Sequence, residues 1–135
     1  MPVSLKIVDN GLGIVLTAQD YLLIKEVYVA SLNFFTQHTH ELSSCRYGLA
    51  DYSQVTDTDA DHAKIRRLAS AHIDASKINI KLILAICSPA DHIFGIARMW
   101  GILAEATGWE IRIFRSTEDA KAWIRSYIEE PLTFQ

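Results

Sequence analysis

Cysteine is nearly absent from this chain: Cys45 and Cys87 are the only two in 135 residues. Two thiols cannot build a disulfide framework, so the fold must rest on an apolar core. Proline is scarce too, at Pro2, Pro89 and Pro131. No Pro/Gly-rich stretch divides the chain, which predicts a single domain over 1–135. Positive charge is not in excess: 13 Lys and Arg against 16 Asp and Glu leave a net charge of −3. That argues against a nucleic-acid binder, which would carry a basic face. Long apolar runs are missing as well. The longest, Tyr21 to Phe35, is broken by Lys25, Glu26 and Asn33, so no membrane span is expected. Met1 to Lys6 lacks the basic-then-apolar pattern of a secretory leader, which predicts a cytoplasmic domain. Half of the residues are hydrophobic and 21% are charged, enough apolar surface to offset the entropy of ordering.

The pattern along the chain alternates strand and helix. Asn10-Gly11 between two β-type runs predicts a hairpin, because both residues tolerate positive φ, with strands at 3–8 and 12–16. Thr17-Ala18-Gln19-Asp20 reads as a capping-box variant opening a helix over 18–36. Residues 37–41 are polar and read as a loop. A strand over 45–52 ends near Asp51. Asp57, Asp59 and Asp61 suit the first turn of a helix over 59–75, with Ile65, Leu68, Ala69, His72 and Ile73 on its inner side. Ile80 to Cys87 is almost continuously apolar, as in a strand covered on both faces. Asp91 is placed to cap a helix over 92–106 that ends at Gly108. Residues 109–114 alternate as a half-exposed strand. Ser116 to Asp119 opens a last helix, which Pro131 stops. The result is ββαβαβαβα, a mostly parallel α/β sheet with an antiparallel N-terminal hairpin.

This order resembles the STAS domain, the fold of the SpoIIAA-like anti-sigma-factor antagonists. That family reads D-L-S-x-V at the end of its third strand, where Asp51-Tyr52-Ser53-Gln54-Val55 stands here. The family then carries D-S-[ST]-G at the next helix, its first serine being the phosphorylation site. Asp59-Ala60-Asp61-His62 keeps the aspartate but has Ala60 at the acceptor position. Gly95-Ile96-Ala97-Arg98-Met99, Thr107-Gly108-Trp109-Glu110, Phe114, Ala120 and Trp123 are similar to small bacterial SpoIIAA-like proteins. The resemblance implies the fold and a partner-binding regulator without the usual phosphoswitch. Ser53 and Thr58 are poor substitutes, since a phosphate there would meet three carboxylates. The architecture also resembles CRAL-TRIO lipid-transfer domains, which implies a hydrophobic ligand as the alternative.

Local chemistry is sparse. His38-Thr39-His40-Glu41 would put two imidazoles on one face of an extended segment, short of the ligands a metal needs. Asp57-x-Asp59-x-Asp61 opens like a calcium loop, but His62 and Leu68 stand where that loop requires Gly and Glu. The three carboxylates are therefore assigned to capping. Cys87, followed by Asp91 and His92, is a candidate nucleophile at a strand end. No triad, phosphate loop or metal quartet appears, so neither catalysis nor a cofactor is expected. Gly95 and Gly101 inside a helix point to close packing, the outcome expected for Gly95. Arg98 is placed to pair with a ligand anion, or with Glu105 or Glu118. Met99 and Trp100 are candidates for an apolar partner surface or for the core, and the aromatics of the first helix for a homodimer or partner contact. The candidate interaction or ligand surface is thus Asp51, Ser53, Asp59, Ala60, Asp61, Gly95, Arg98, Met99 and Trp100. The ranked expectation is a non-enzymatic protein-interaction module, then a carrier of a small apolar or amphipathic ligand. A cavity lined by Phe34, Phe35, Met99 and Trp100 would favour the carrier.

Overall fold

The computed structural model describes residues 3–135. Strands β1 (Val3–Val8) and β2 (Gly13–Leu22) pair antiparallel. Asp9, Asn10 and Gly11 turn between them with φ of 52°, 56° and 89°. This is the left-handed turn that Asn-Gly predicts. Strands β3 (Tyr47–Thr58), β4 (Ile83–Cys87) and β5 (Glu110–Phe114) follow in parallel. The sheet order is β1-β2-β3-β4-β5.

Because each parallel strand is added on the same side of the last, right-handed crossovers put their helices on one face. That face carries α1 (Ile24–Gln37), α2 (Thr39–Ser44), α3 (His62–Ser76) and α4 (Asp91–Leu103). The final helix, α5 (Thr117–Tyr127), lies on the other face. Beyond it, Ile128, Leu132 and Phe134 complete the cover over Tyr47, Leu49, Ile83, Ala85 and Cys87. Among the described residues, no helix is long and apolar enough to cross a membrane.

Several boundaries differ from the sequence expectation, each for a tertiary reason. Residues 17–20 do not cap a helix; they continue β2, with Ala18 and Leu22 buried. The cap of α1 comes instead from Asp59, whose carboxylate accepts from the Ile24 amide at 2.9 Å. Strand β3 runs past Asp51 to Thr58 through two bulges. Two steps of β2 (Thr17 to Gln19) face three of β3 (Asp51 to Gln54), and one step (Asp20 to Tyr21) faces two (Val55 to Asp57). Helix α3 consequently starts at His62, capped by Asp61, which accepts from the Lys64 amide at 2.8 Å. The 37–41 loop is mostly helix, held down by the fully buried Leu42. Strand β4 starts at Ile83 rather than Ile80. Buried Asn79 accepts from the Lys81 amide and donates to the Leu42 and Cys45 carbonyls, which fixes a turn there, and Ile80 is 66% exposed. At α4 the N-cap position is Ala90, and Asp91 pairs with Arg115 instead. Gly108 adopts the expected left-handed φ of 74°, and Ser116 caps α5 by accepting from the Asp119 amide.

Two glycines have opposite reasons to be there. A Cβ on Gly13 would overlap the ring of Tyr47, whose hydroxyl is bonded to Asp9 and cannot swing away. A Cβ on Gly95 would meet nothing within 4 Å. Close packing therefore does not explain Gly95, contrary to the sequence expectation. At Gly101 a Cβ would make ordinary contact with Ile113 at 3.7 Å. We predict that Gly95→Ala stabilises the protein by up to about 1 kcal/mol through helix propensity. Gly13→Ala should cost at least about 2 kcal/mol through overpacking. Urea denaturation of the two variants, compared through their midpoints at equal slope, checks both signs.

Candidate functional site

Between the sheet and α1, α3 and α4 lies a cavity of about 120 Å³. Its floor is β2, β3 and β4, with Leu16, Ala50, Leu84 and Ile86 among its residues. Gly48 is small because Leu84 fills its place: a Cβ there would sit 2.7 Å from the Leu84 Cδ1. The walls are large apolar residues, among them Val27, Phe34 and Phe35 of α1, Ile65 and Leu68 of α3, and Ile93 and Trp100 of α4. No Lys, Arg, Asp or Glu lines it.

His72 is the polar centre of this layer. Three aromatic rings meet its imidazole edge-on: Trp100 at 5.1 Å, Phe35 at 5.7 Å and Trp109 at 6.1 Å between centroids. Trp100 Nε1 donates to His72 Nδ1 at 3.3 Å, which leaves the ring proton on Nε2. Burial pushes the His72 pKa down to about 4, against a weaker upward pull from the Leu68 carbonyl. Trp109 Nε1 is spent on the Asn79 carbonyl at 2.6 Å, and the Thr58 hydroxyl on the Leu22 carbonyl at 2.8 Å. Burial, with a smaller effect from Cys87, raises the Tyr52 pKa, so its phenol keeps its proton.

The residues singled out from sequence do not form one surface. Asp59 and Asp61 are taken up by caps, and Lys64 reaches both, at 3.4 and 3.7 Å. The Lys64 amide is the main cause of the lowered Asp61 pKa. Asp57 faces His92 at 3.4 Å. Ala60 packs against the main core. Asp51 accepts from the Ser53 amide at 2.9 Å within β3. Gly95 and Arg98 are on the outer side of α4, and Arg98 forms no ion pair with Glu105 or Glu118 among the described residues. Trp100 is buried and Met99 packs on the core, so of the two places expected for them the structure gives the core.

Other expectations also change. Tyr21 belongs to β2, Tyr28 lies under the Arg67 guanidinium at 4.6 Å, and Phe34 is buried. The aromatics of α1 are thus largely satisfied within the chain. His38 stacks on Phe34 and faces Glu41 at 3.6 Å, while the helical turn from Thr39 removes the extended geometry that would align it with His40. Among the described residues no three His, Cys, Asp or Glu side chains converge as a metal site. Cys87 neighbours Asp51 at 3.6 Å and Thr117 at 3.7 Å, not His92. Burial pushes its thiol pKa up to about 11, the reverse of an activated nucleophile. Sequence reading placed His72 only on a helix's inner side and passed over Ser31 and Tyr52. Their shared role as cavity lining depends on three non-adjacent elements.

The depressed pKa of His72 makes stability depend on pH. The unfolded imidazole takes a proton near 6.5, the folded one only near 4. Stability is therefore full above 6.5 and is lost as pH falls towards 4, by on the order of 3 kcal/mol. Urea denaturation at pH 7 and pH 4.5 should show this loss, and His72→Phe should remove most of it.

No family model matches this chain, and no curated protein matches it. Among solved structures it is similar to that of the anti-sigma factor antagonist SpoIIAA in its unphosphorylated form. The TM-score is 0.55 and the identity 9%, over 93% of this chain and 98% of that one. The likeness shows the fold: this chain has the SpoIIAA-type, STAS-like α/β architecture.

Proposed function

We propose that this chain is a non-enzymatic regulatory module of the SpoIIAA-like type that holds a small apolar molecule between its sheet and α1, α3 and α4. The cavity carries this reading. Phe34, Phe35 and Trp100 line it, as a ligand site requires, while Met99 does not. Left empty, a cavity of about 120 Å³ costs about 3 kcal/mol at roughly 24 cal/mol per Å³. That is a large share of the roughly 5–15 kcal/mol that stabilises an ordinary domain. An occupant recovers the lost contacts. This puts ligand binding ahead of the partner surface that the sequence ranks first.

A second reading, a protein-interaction module with no small ligand, is supported by the outer side of α4. Gly95 and Arg98 are exposed there, Ile102 is 66% exposed, and β5 beside them is an edge strand. In either reading, regulation by phosphate at the position that matches the family acceptor is unsupported. Ala60 has no hydroxyl, and the nearby Ser53 is part of a β-bulge tied to Asp51.

Thermal unfolding with toluene as the probe tests the cavity. Ligand at a hundredfold excess over its Kd stabilises by about 2.7 kcal/mol, which should raise the Tm by several degrees. Ala97→Leu projects a larger side chain into the cavity and should abolish the rise. A Tm that toluene leaves unmoved would favour the partner-only reading.

A further inference from the structure

The polar groups inside the cavity narrow its occupant further than its volume does. Every fully enclosed side-chain nitrogen or oxygen among the described residues has a hydrogen-bond partner. Ser31 of α1 is 3% exposed and lines the cavity, yet its hydroxyl bonds to no protein group. Thr36 on the same helix, by contrast, gives its hydroxyl to the Leu32 and Asn33 carbonyls. The Ser31 Oγ is therefore not fully enclosed, and the cavity is the space that this residue lines. The phenol of Tyr52, also on the lining, is likewise left without a side-chain partner, whereas Thr58, Trp100 and Trp109 are each spent on the protein.

Resting on the ligand reading above, we propose that the cavity selects a small uncharged molecule, mostly apolar, whose one hydrogen-bonding group is placed against Ser31. Three observations set these limits. About 120 Å³ is close to the roughly 150 Å³ of an apolar cavity that admits benzene, so one ring or a short chain fits. The lining has no cation, and a buried carboxylate without one is strongly disfavoured. His72 cannot supply the charge, since its burial keeps it neutral at pH 7. The free hydroxyl of Ser31 favours a ligand that satisfies it over an equally shaped one that does not.

Isothermal titration at pH 7 with toluene, phenol and benzoate decides the matter. Toluene and phenol have nearly the same shape and differ in the polar group; benzoate adds the charge. Phenol should bind about three- to tenfold more tightly than toluene, the worth of one buried hydrogen bond, and benzoate should not bind. In Ser31→Ala, a change small enough to keep the fold, phenol should lose its advantage while toluene binds as before. Equal affinities for phenol and toluene in the unmodified protein would overturn the Ser31 assignment and leave the cavity reading standing. An advantage of phenol that survives Ser31→Ala would overturn it too, and tight benzoate binding would overturn the selection for uncharged ligands. Binding of none of the three would overturn both this proposal and the ligand reading.

Discussion

The parallel strands β3 and β4 carry apolar side chains on both faces, so they must be covered twice. Tyr47, Leu49, Ile83, Ala85 and Cys87 point to one side, Ala50 and Ile86 to the other. The one-directional strand order sends every crossover helix to the Ala50 side. Only α5 and the residues after it remain for the Tyr47 side. Asp9 holds that thin cover in place. Its carboxylate accepts from the Tyr47 hydroxyl, from the Thr133 amide at 2.8 Å and hydroxyl at 3.0 Å, and from the Phe134 amide at 3.1 Å. Desolvation raises the Asp9 pKa, but these donors outweigh it and the net shift is downward. One carboxylate at the hairpin turn thus ties β3 to the far end of the chain, and Phe134 seats against Tyr47 at 5.3 Å.

The better covered side is where space is left over. Three long helices arch over the floor formed by β2, β3 and β4. Their large residues, Phe34, Phe35 and Trp100, meet at the walls without filling the middle. Close-packed interiors seldom keep such voids. The lining has no Lys, Arg, Asp or Glu, and Thr58, Trp100 and Trp109 are bonded within the protein, so the space stays mostly apolar without an unpaired charge.

The charged residues near the C-terminal ends of the strands show how structure takes up side chains that look functional. Asp59 holds the start of α1, Asp61 the start of α3, and Asp57 faces His92. Each carboxylate has a structural occupation, and none is left to converge with the others on a cation. Asn79 does similar work at the opposite end. It ties the end of α2 to the turn before β4, and its backbone carbonyl receives the Trp109 indole.

What the sequence determines alone is local. Asn10-Gly11 makes its turn because both residues accept positive φ; Ser116 caps α5 within its own first turn; Gly108 ends its segment in the left-handed region. The strand–helix alternation sets the parallel sheet, because right-handed crossovers leave little choice. Tertiary structure decides whatever depends on a partner far along the chain. The start of α1 is set by Asp59, 35 residues away. The length of β3 depends on pairing with β2 through two bulges that no periodicity announces. The cavity exists only where helices from three separate segments meet one sheet. Ser31, Tyr52 and His72 read as ordinary residues of separate elements until that meeting places them around a common space.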